Sequence, residues 1–396
     1  MRVHQVSFPS TVARPRAGRS YGFLSTFPPT ACGLATFTAA LSDGLLAGGA
    51  AVGIVRVADG TTSTDPRVMA ELHNGVPASV EQASASLSRC DVAIVQHEYG
   101  LYGGPDGDEV VGILRGLSVP SIVVAHTVLL EPTAHQRIVL EAVVDTASSV
   151  VVMTEAARQR LCDRFDVDAA KVTTIPHGAA VPAPRRRPVH GMRPARPTRP
   201  MLLSWGLIGR GKGIEWAIDA MADLQDLRPR PRYVVAGRTH PKVLAYEGDV
   251  YRDMLVERTW NRQVASSVAF DASYRDVGSL TQLIQDAAIV VLPYDSRDQV
   301  TSGVLVDAIA AGRPVVATAF PHAVELLSTG AGIVVPHRDP KALGAALRRL
   351  LTEPDLARAM ADEAARLAPS LGWPAVAGHY AALADHILAE HEAVPA

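Results

Sequence analysis

The sequence predicts an α/β protein built from two doubly wound, parallel-sheet domains. Short, nearly continuously apolar runs recur along the chain, as strands buried on both faces require. Amphipathic segments of helical period separate these runs, which is the βαβ rhythm of a parallel sheet. A stretch dense in proline and arginine then divides the runs into two series. With 396 residues the chain exceeds one ordinary core and suits two domains of about 180 residues each.

The first series is YGFLST, AVGIVRV, DVAIVQHE, SIVVAHT, SVVVMT and VTTIPHG. Between these lie helical patterns such as Ala35 to Leu45 and Thr154 to Phe165, so residues 1–180 form the first domain. Residues 181–200, VPAPRRRPVHGMRPARPTRP, contain no periodic apolar position. Proline at that density holds neither a helix nor a central strand, so the stretch reads as a linker or surface loop. Its Arg185, Arg186 and Arg187 could touch acidic lipid headgroups or a phosphorylated acceptor, although a solvated linker is the simpler reading. The second series, MLLSWG, RYVVAG, SVAFDA, AAIVVLPY, RPVVATAF and GIVVP, fills residues 201–370. GIEWAIDAMADLQDL and PKALGAALRRLLTE carry apolar positions at helical spacing. The closing segment GWPAVAGHYAALADHIL falls outside this series. Residues 371–396 are therefore expected to form a helix that packs back across the first domain. Two such halves place a cleft between the carboxyl ends of two sheets, where ligands of open α/β sheets bind.

Composition removes several function classes. A net charge of −2 gives no global field for nucleic acid, and 5% aromatics offers little for base stacking. Cys32, Cys90 and Cys162 are widely spaced and form no CxxC pair, which suits a reducing compartment and no structural zinc site. The first twenty residues lack the apolar core of a signal peptide, and no run is long enough to cross a membrane. A cytoplasmic protein with at most peripheral membrane contact is expected.

Chemistry concentrates in three turns. In DQVTSGVLVDAIAAG, Thr301 or Ser302 can cap a helix while Gly303 lets a ligand approach the backbone. The free N–H groups of that first turn form an anion site. Many helices begin with Ser or Thr and bind nothing, so this turn alone decides little. GLIGRGKGIEW follows a strand and precedes a helix, placing Arg210 and Lys212 at another carboxyl end. Its glycines let two cations bend toward one point, and lysine is a strong phosphate partner. The spacing fits neither a Walker motif nor the dinucleotide fingerprint, which makes a hydride-transfer enzyme a poor reading. PPTACGLATFTAAL places Cys32 and Gly33 between the first strand and its helix, with Gly33 again open to backbone approach.

Together these elements resemble the retaining glycosyltransferases of the GT-B fold, family 4, over nearly the whole chain after about Tyr21. The similar elements are the Pro28 to Thr38 loop, QHEYGLYGG (Gln96 to Gly104), VVAHT (Val123 to Thr127) and IPHG (Ile175 to Gly178). In the second half come GKG (Gly211 to Gly213), PVVAT (Pro314 to Thr318), GIVVPHRDPKAL (Gly332 to Leu343) and Gly372-Trp373. The resemblance implies two Rossmann-like domains facing across a cleft. It implies transfer of a hexose from a nucleotide sugar of GDP-mannose or UDP-glucose type, held by the second domain. The acceptor would enter through the first domain as a glycan, lipid-linked sugar or small molecule. No metal or other cofactor is implied. Lys212, Arg210 and the Ser302 and Gly303 amides would offset the charge of the leaving diphosphate. His126 would stand near the reacting sugar, and His97 and Glu98 on the acceptor side, although a packing or capping role is the simpler reading for that pair. Tyr274, Arg275 and Val277 fall where relatives hold the base, although Tyr274 reads equally well as ordinary packing. Glu325 resembles a family carboxylate, although a helix-surface position is simpler for it.

This chain departs from the family at two places. The family pair of glutamates is replaced by Gln299 and Asp307. Asp307 can still accept from ribose hydroxyls. Gln299 can hold a sugar hydroxyl, but it is neutral and cannot act as a nucleophile, which favours a front-face retaining mechanism. Leu207 stands where many relatives carry arginine, a role that Arg210 can take from within the loop. Other readings are a nucleotide-sugar hydrolase or epimerase of this fold, which needs an added water-activating cluster, and a non-catalytic nucleotide-sugar binder. Gln299 and Leu207 support the latter; the intact Lys212, Ser302, Gly303 and His126 oppose it.

Overall fold

The computed structural model describes residues 18–183, 199–239, 241–273 and 275–393, the side chains of 241 and 242 apart. Tyr274 and the three consecutive arginines of the linker lie outside the described residues. The chain divides into two compact units. One runs to Gly178 and resumes at Trp373; the other spans Ala179–Gly372.

The first unit contains, in order, β1 (Ser20–Ser25), α1 (Gly33–Ala47), β2 (Ala51–Val57), β3 (Val68–Leu72), α2 (Pro77–Leu87), β4 (Val92–His97) and α3 (Glu109–Arg115). It continues with β5 (Ser121–Ala125), α4 (Ala134–Thr146), β6 (Ser149–Val152), α5 (Glu155–Arg164) and β7 (Val172–Thr174). Its sheet is parallel, in the order β3-β2-β1-β4-β5-β6-β7. Each apolar run of the sequence forms a strand. Strand β3, VMAEL, is additional: it is an edge strand, half-buried along most of its length, so it lacks a continuous apolar run.

The second unit comprises β8 (Met201–Trp205), α6 (Ile214–Ala222), β9 (Arg232–Ala236), α7 (Pro241–Glu247), α8 (Val250–Asn261), β10 (Val268–Asp271) and α9 (Val277–Asp286). Then follow β11 (Ile289–Leu292), α10 (Gly303–Ala310), β12 (Val315–Thr318), α11 (Pro321–Leu327), β13 (Gly332–Val335), α12 (Pro340–Thr352) and α13 (Pro354–Leu371). The sheet order is β10-β9-β8-β11-β12-β13, again parallel. Successive strand residues feed opposite cores. Leu203, Val290, Leu292 and Val315 pack on the side of α10 and α11, whereas Leu202, Ile289, Val291 and Val316 pack on the side of α6 and α12. That two-sided burial explains why these strands read as unbroken apolar runs.

The last helix, α14 (Trp373–Ala393), belongs to the first unit. Its Val376, Ala377, Tyr380 and Ala384 join the core formed by Phe37, Leu41 and Leu45 of α1. Small residues set the approach: a Cβ on Gly44 would lie 2.9 Å from Ala377 Cβ, and one on Gly178 would lie 2.3 Å from the Trp373 ring. The Gly178→Ala variant is accordingly expected to lose about 1–3 kcal/mol through overpacking of the Trp373 seat. Urea unfolding measures it, and an unchanged midpoint would show that the seat has slack.

Candidate functional site

In the second unit, β8 and β11 pair directly, with Ile289 opposite Leu202 and Val290 opposite Leu203. The sheet order reverses at this pair, so the loops leaving both carboxyl ends flank a topological switch point. These are the loops that carry Lys212 and the Thr-Ser-Gly turn. They are bound to each other, with the Asp295 amide donating to the Gly211 carbonyl at 2.9 Å. Gly213 is left-handed at φ 64°, and a Cβ there would fall 1.8 Å from the Pro293 carbonyl oxygen. Only glycine fits that approach.

Lys212 is half-buried, and desolvation lowers its pKa. Its Nζ stands 4.5 Å from the centre of the Tyr294 ring, and it has no ion pair among the described residues. Tyr294 is itself fixed: its ring stacks on Phe320 at 5.1 Å, and its carbonyl accepts from Thr318 Oγ1 at 2.6 Å and His337 Nδ1 at 2.8 Å. The neighbouring Asp295 carboxylate accepts from Trp216 Nε1 at 2.8 Å and Arg338 Nε at 3.2 Å. An aromatic face therefore holds the ammonium without neutralising it. A desolvated cation with no counter-ion is a receptor for an anion.

Ser302 is the N-cap of α10, its hydroxyl accepting from the Leu305 amide at 3.3 Å. The Ser302 amide donates to His322 Nδ1 at 2.8 Å. That corrects the expectation that this amide faces the anion: a buried imidazole already takes it. The open donors of the first turn are the Gly303 and Val304 amides, which no intrahelical bond reaches. The Thr301 hydroxyl is buried without a partner among the described residues.

Arg210 requires a second correction. Its side chain is 63% exposed and pairs with Glu247 at 3.2 Å. It lies over Tyr251 at 5.9 Å, toward α7 and α8, while Lys212 turns to Tyr294. The two cations of the loop thus have different partners and do not converge.

Asp307 is half-buried on α10, and its carboxylate makes no hydrogen bond or ion pair among the described residues. Burial raises its pKa from the ordinary carboxylate range to about 7. Gln299 is half-buried on the preceding loop and likewise has no side-chain partner. Farther along the sheet, Arg275 is engaged by Asp271, and Val277 opens α9 behind the Asp276 cap, 57% exposed. Glu325 is exposed on α11, as its simpler reading has it.

In the first unit the switch point lies between β1 and β4. Cys32 caps α1, its sulfur accepting from the Ala35 amide at 3.4 Å. A Cβ on Gly33 would meet nothing within 4 Å, so the backbone there borders open space. The loop before it is anchored by Arg56, a fully buried cation that apolar patterning passes over. Arg56 donates to the Phe27 carbonyl at 3.2 Å, to Thr30 Oγ1 at 2.9 Å and to Glu71 at 2.8 Å. Asp59 completes the cluster; burial opposes its ionisation, yet hydrogen bonds from Thr61 and Thr30 hold its carboxyl well below the usual range.

His126 leaves β5 half-buried, with Nε2 2.5 Å from Gln96 Oε1. With the Gln96 carboxamide in this orientation its oxygen accepts from Nε2, which leaves the lone pair on Nδ1. Phe37 meets the rings of His126, His177 and Trp373 edge-on, at 5.0, 5.1 and 5.1 Å. Burial first, then repulsion from His177 and His97, pushes His126 down to about 3, so it is neutral at physiological pH. His97 takes the packing role, not the acceptor-side one. It is 1% exposed, packs edge-on against Tyr99, and burial lowers it to about 4. It stands behind the surface rather than on it. Glu98 is half-buried and already accepts from Thr127 Oγ1 at 2.6 Å and the Tyr99 amide at 3.1 Å.

Comparison with known proteins adds names to this geometry. Residues 190–367 match the family of glycosyl transferases group 1. A D-inositol 3-phosphate glycosyltransferase of Kineococcus radiotolerans is 31% identical over 59% of this chain and 56% of its own length. An alpha-D-kanosaminyltransferase of Streptomyces kanamyceticus is 28% identical over 56% of this chain and 55% of its own. The chain thus spans about half the length of these relatives. Among solved structures, sucrose-phosphate synthase of Thermosynechococcus elongatus superposes with TM-score 0.72 at 18% identity, over 94% of this chain and 100% of that one. Anabaena HepE in complex with UDP-glucose gives TM-score 0.67 at 16% identity, over 94% and 99%. The fold is therefore GT-B: two parallel-sheet, Rossmann-like α/β domains.

Proposed function

We propose that the chain is a glycosyltransferase that moves a hexose from a nucleotide sugar to a hydroxyl of its acceptor. The observation that carries this reading is Lys212, a desolvated ammonium with no ion pair among the described residues, at the same switch point as the open first-turn amides of α10. The group 1 match and the names of the relatives support it. Lys212 and the Gly303 and Val304 amides would bind the diphosphate, Asp307 a ribose hydroxyl, and Gln299 a sugar hydroxyl. In the first unit, neutral His126 would accept from a hydroxyl through Nδ1, and Gly33 would leave room for the ligand.

The chemistry that fits these residues is front-face transfer with retention. The bond from the anomeric carbon to the diphosphate oxygen breaks while the acceptor oxygen bonds to the same face. The acceptor proton passes to the departing phosphate oxygen, so no protein nucleophile or base is needed. Neutral Gln299 and His126 suit that route. The fixed positive charge of Lys212 and the helix end stabilises the leaving group, a role for which no metal or other cofactor is invoked. The donor is of GDP-mannose or UDP-glucose type, and the acceptor a glycan, a lipid-linked sugar or a small molecule. No described helix is long and apolar enough to cross a membrane.

Thermal shifts with GDP, UDP, ADP and their sugars test donor binding, because a ligand bound only by the folded state raises stability. One nucleotide is expected to shift the second unit by several degrees; no shift with any of them ends the transferase reading. The anomeric configuration of the product tests retention.

A further inference from the structure

The first unit holds an open cavity of about 430 Å³ beyond the carboxyl ends of β2 and β3, lined in part by Thr61, Thr62, Glu71, His73 and Asn74. None of the residues read from the sequence as part of the site lies in it. It adjoins the segment that leads to Gly33. Asp59 accepts from Thr30 Oγ1 at 2.7 Å, and Ser63 donates to the Pro28 carbonyl at 2.9 Å, so the β2–β3 connection and the Pro28–Thr30 segment form one surface. The cavity thus borders the surface to which the loop before Gly33 is tied.

The lining defines what fits. Glu71 spends one carboxylate oxygen, Oε1, on Arg56 at 2.8 Å, and its Oε2 has no partner among the described residues. Asn74 donates its Nδ2 to the Leu101 carbonyl at 3.1 Å, which leaves its Oδ1 as an acceptor. The Thr62 hydroxyl and the His73 ring have no partner among the described residues. Charge is one-sided. Glu71 is the only carboxylate in the lining, and the lining holds no lysine or arginine. The nearest cation, Arg56, is fully buried and already engaged by Asp59, Glu71, Thr30 and Thr61. A phosphate here would face a free carboxylate oxygen and a free carbonyl with no lysine or arginine to match it. A hydroxyl or an ammonium would find acceptors.

We propose that this cavity is the acceptor subsite, and that it selects an uncharged or amine-bearing polyhydroxylated ring over a phosphorylated one. The proposal rests on the transferase reading for its place in the reaction, but ring binding can be measured without the donor. It separates this chain from the activity carried in the name of its Kineococcus relative.

The test titrates three matched rings into the full chain by calorimetry: myo-inositol, the aminocyclitol scyllo-inosamine, and inositol 3-phosphate. The first two are expected to bind at least tenfold more tightly than the phosphate. Asn74→Leu is expected to weaken them about tenfold, and Thr62→Lys, on an exposed loop, to shift preference toward the phosphate. Equal or tighter binding of inositol 3-phosphate would overturn the proposal. So would failure of all three rings to bind, or an unaltered preference in both variants when circular dichroism shows them folded. Failure of every nucleotide to bind in the separate thermal-shift assay would instead strike the transferase reading. The ring titration would still report the ligand class of the cavity.

Discussion

Replacing Lys212 with methionine is expected to lower kcat/KM by roughly 10²- to 10³-fold, the usual loss when one preorganised group facing developing charge is removed. Stability should be unchanged or higher, because the substitution removes an ammonium that folding desolvates and that has no ion pair among the described residues. This pairing of outcomes separates an electrostatic role from a structural one. A lysine that merely packs would cost stability when changed and leave turnover in proportion to folded protein. Tyr294 extends the test. Tyr294→Phe keeps the ring that faces Lys212 and should retain activity, whereas Tyr294→Leu removes the face that positions the ammonium 4.5 Å away. Steady-state kinetics beside thermal melts decides the matter. Full turnover in Lys212→Met would remove the diphosphate contact from the mechanism.

The second large effect concerns Asp307. Its carboxyl is raised to about 7 by burial, so folding favours the protonated form. That contribution to stability is fully present below the ordinary aspartate range near pH 4, and it is lost as pH rises through 7. Asp307→Asn cannot ionise. Its melting temperature should therefore exceed that of the parent by a margin that grows from pH 5 to pH 8. Ligand binding should run the other way. A ribose hydroxyl donates to the ionised carboxylate, so nucleotide affinity of the parent should tighten about tenfold between pH 6 and pH 8, following the ionised fraction. The asparagine variant should bind more weakly at pH 8 and show a flat profile. Calorimetry at the two pH values checks the prediction, and a pH-dependent Kd that survives in Asp307→Asn would assign the titration to another group.

Much of the candidate site was legible because switch-point loops follow from strand order, and buried parallel strands announce themselves. The GKG loop and the Thr-Ser-Gly turn were identifiable separately as strand-to-helix turns rich in small residues. Their adjacency depends on β8 pairing with β11, a contact between residues almost ninety positions apart. Side-chain direction was harder. Arg210 and Lys212 are two residues apart in a glycine loop, and nothing local tells which turns inward; Glu247 on α7 captures the first, and Tyr294 the second. His97 and Glu98 looked equivalent at a strand end. The strand pleat sends His97 into the core and leaves Glu98 half-buried.

Other features left no local signal at all. Arg56 lies in an apolar strand and would pass for a solvated edge residue; only β3 and the Pro28–Thr30 segment, closing around it, make it a buried anchor. The same holds for Gln96, whose place opposite His126 needs β4 and β5 in register.

By itself, the sequence determined the architecture: strand runs, helical periods and glycine turns are local properties, set by backbone sterics and the need to bury both faces of a sheet. The tertiary structure decided the chemistry. Charge state, hydrogen-bond commitment and burial depend on what surrounds a side chain from distant segments. So Lys212 with no ion pair among the described residues, Asp307 near neutrality and the Ser302 amide taken by His322 became visible only once the chain had folded.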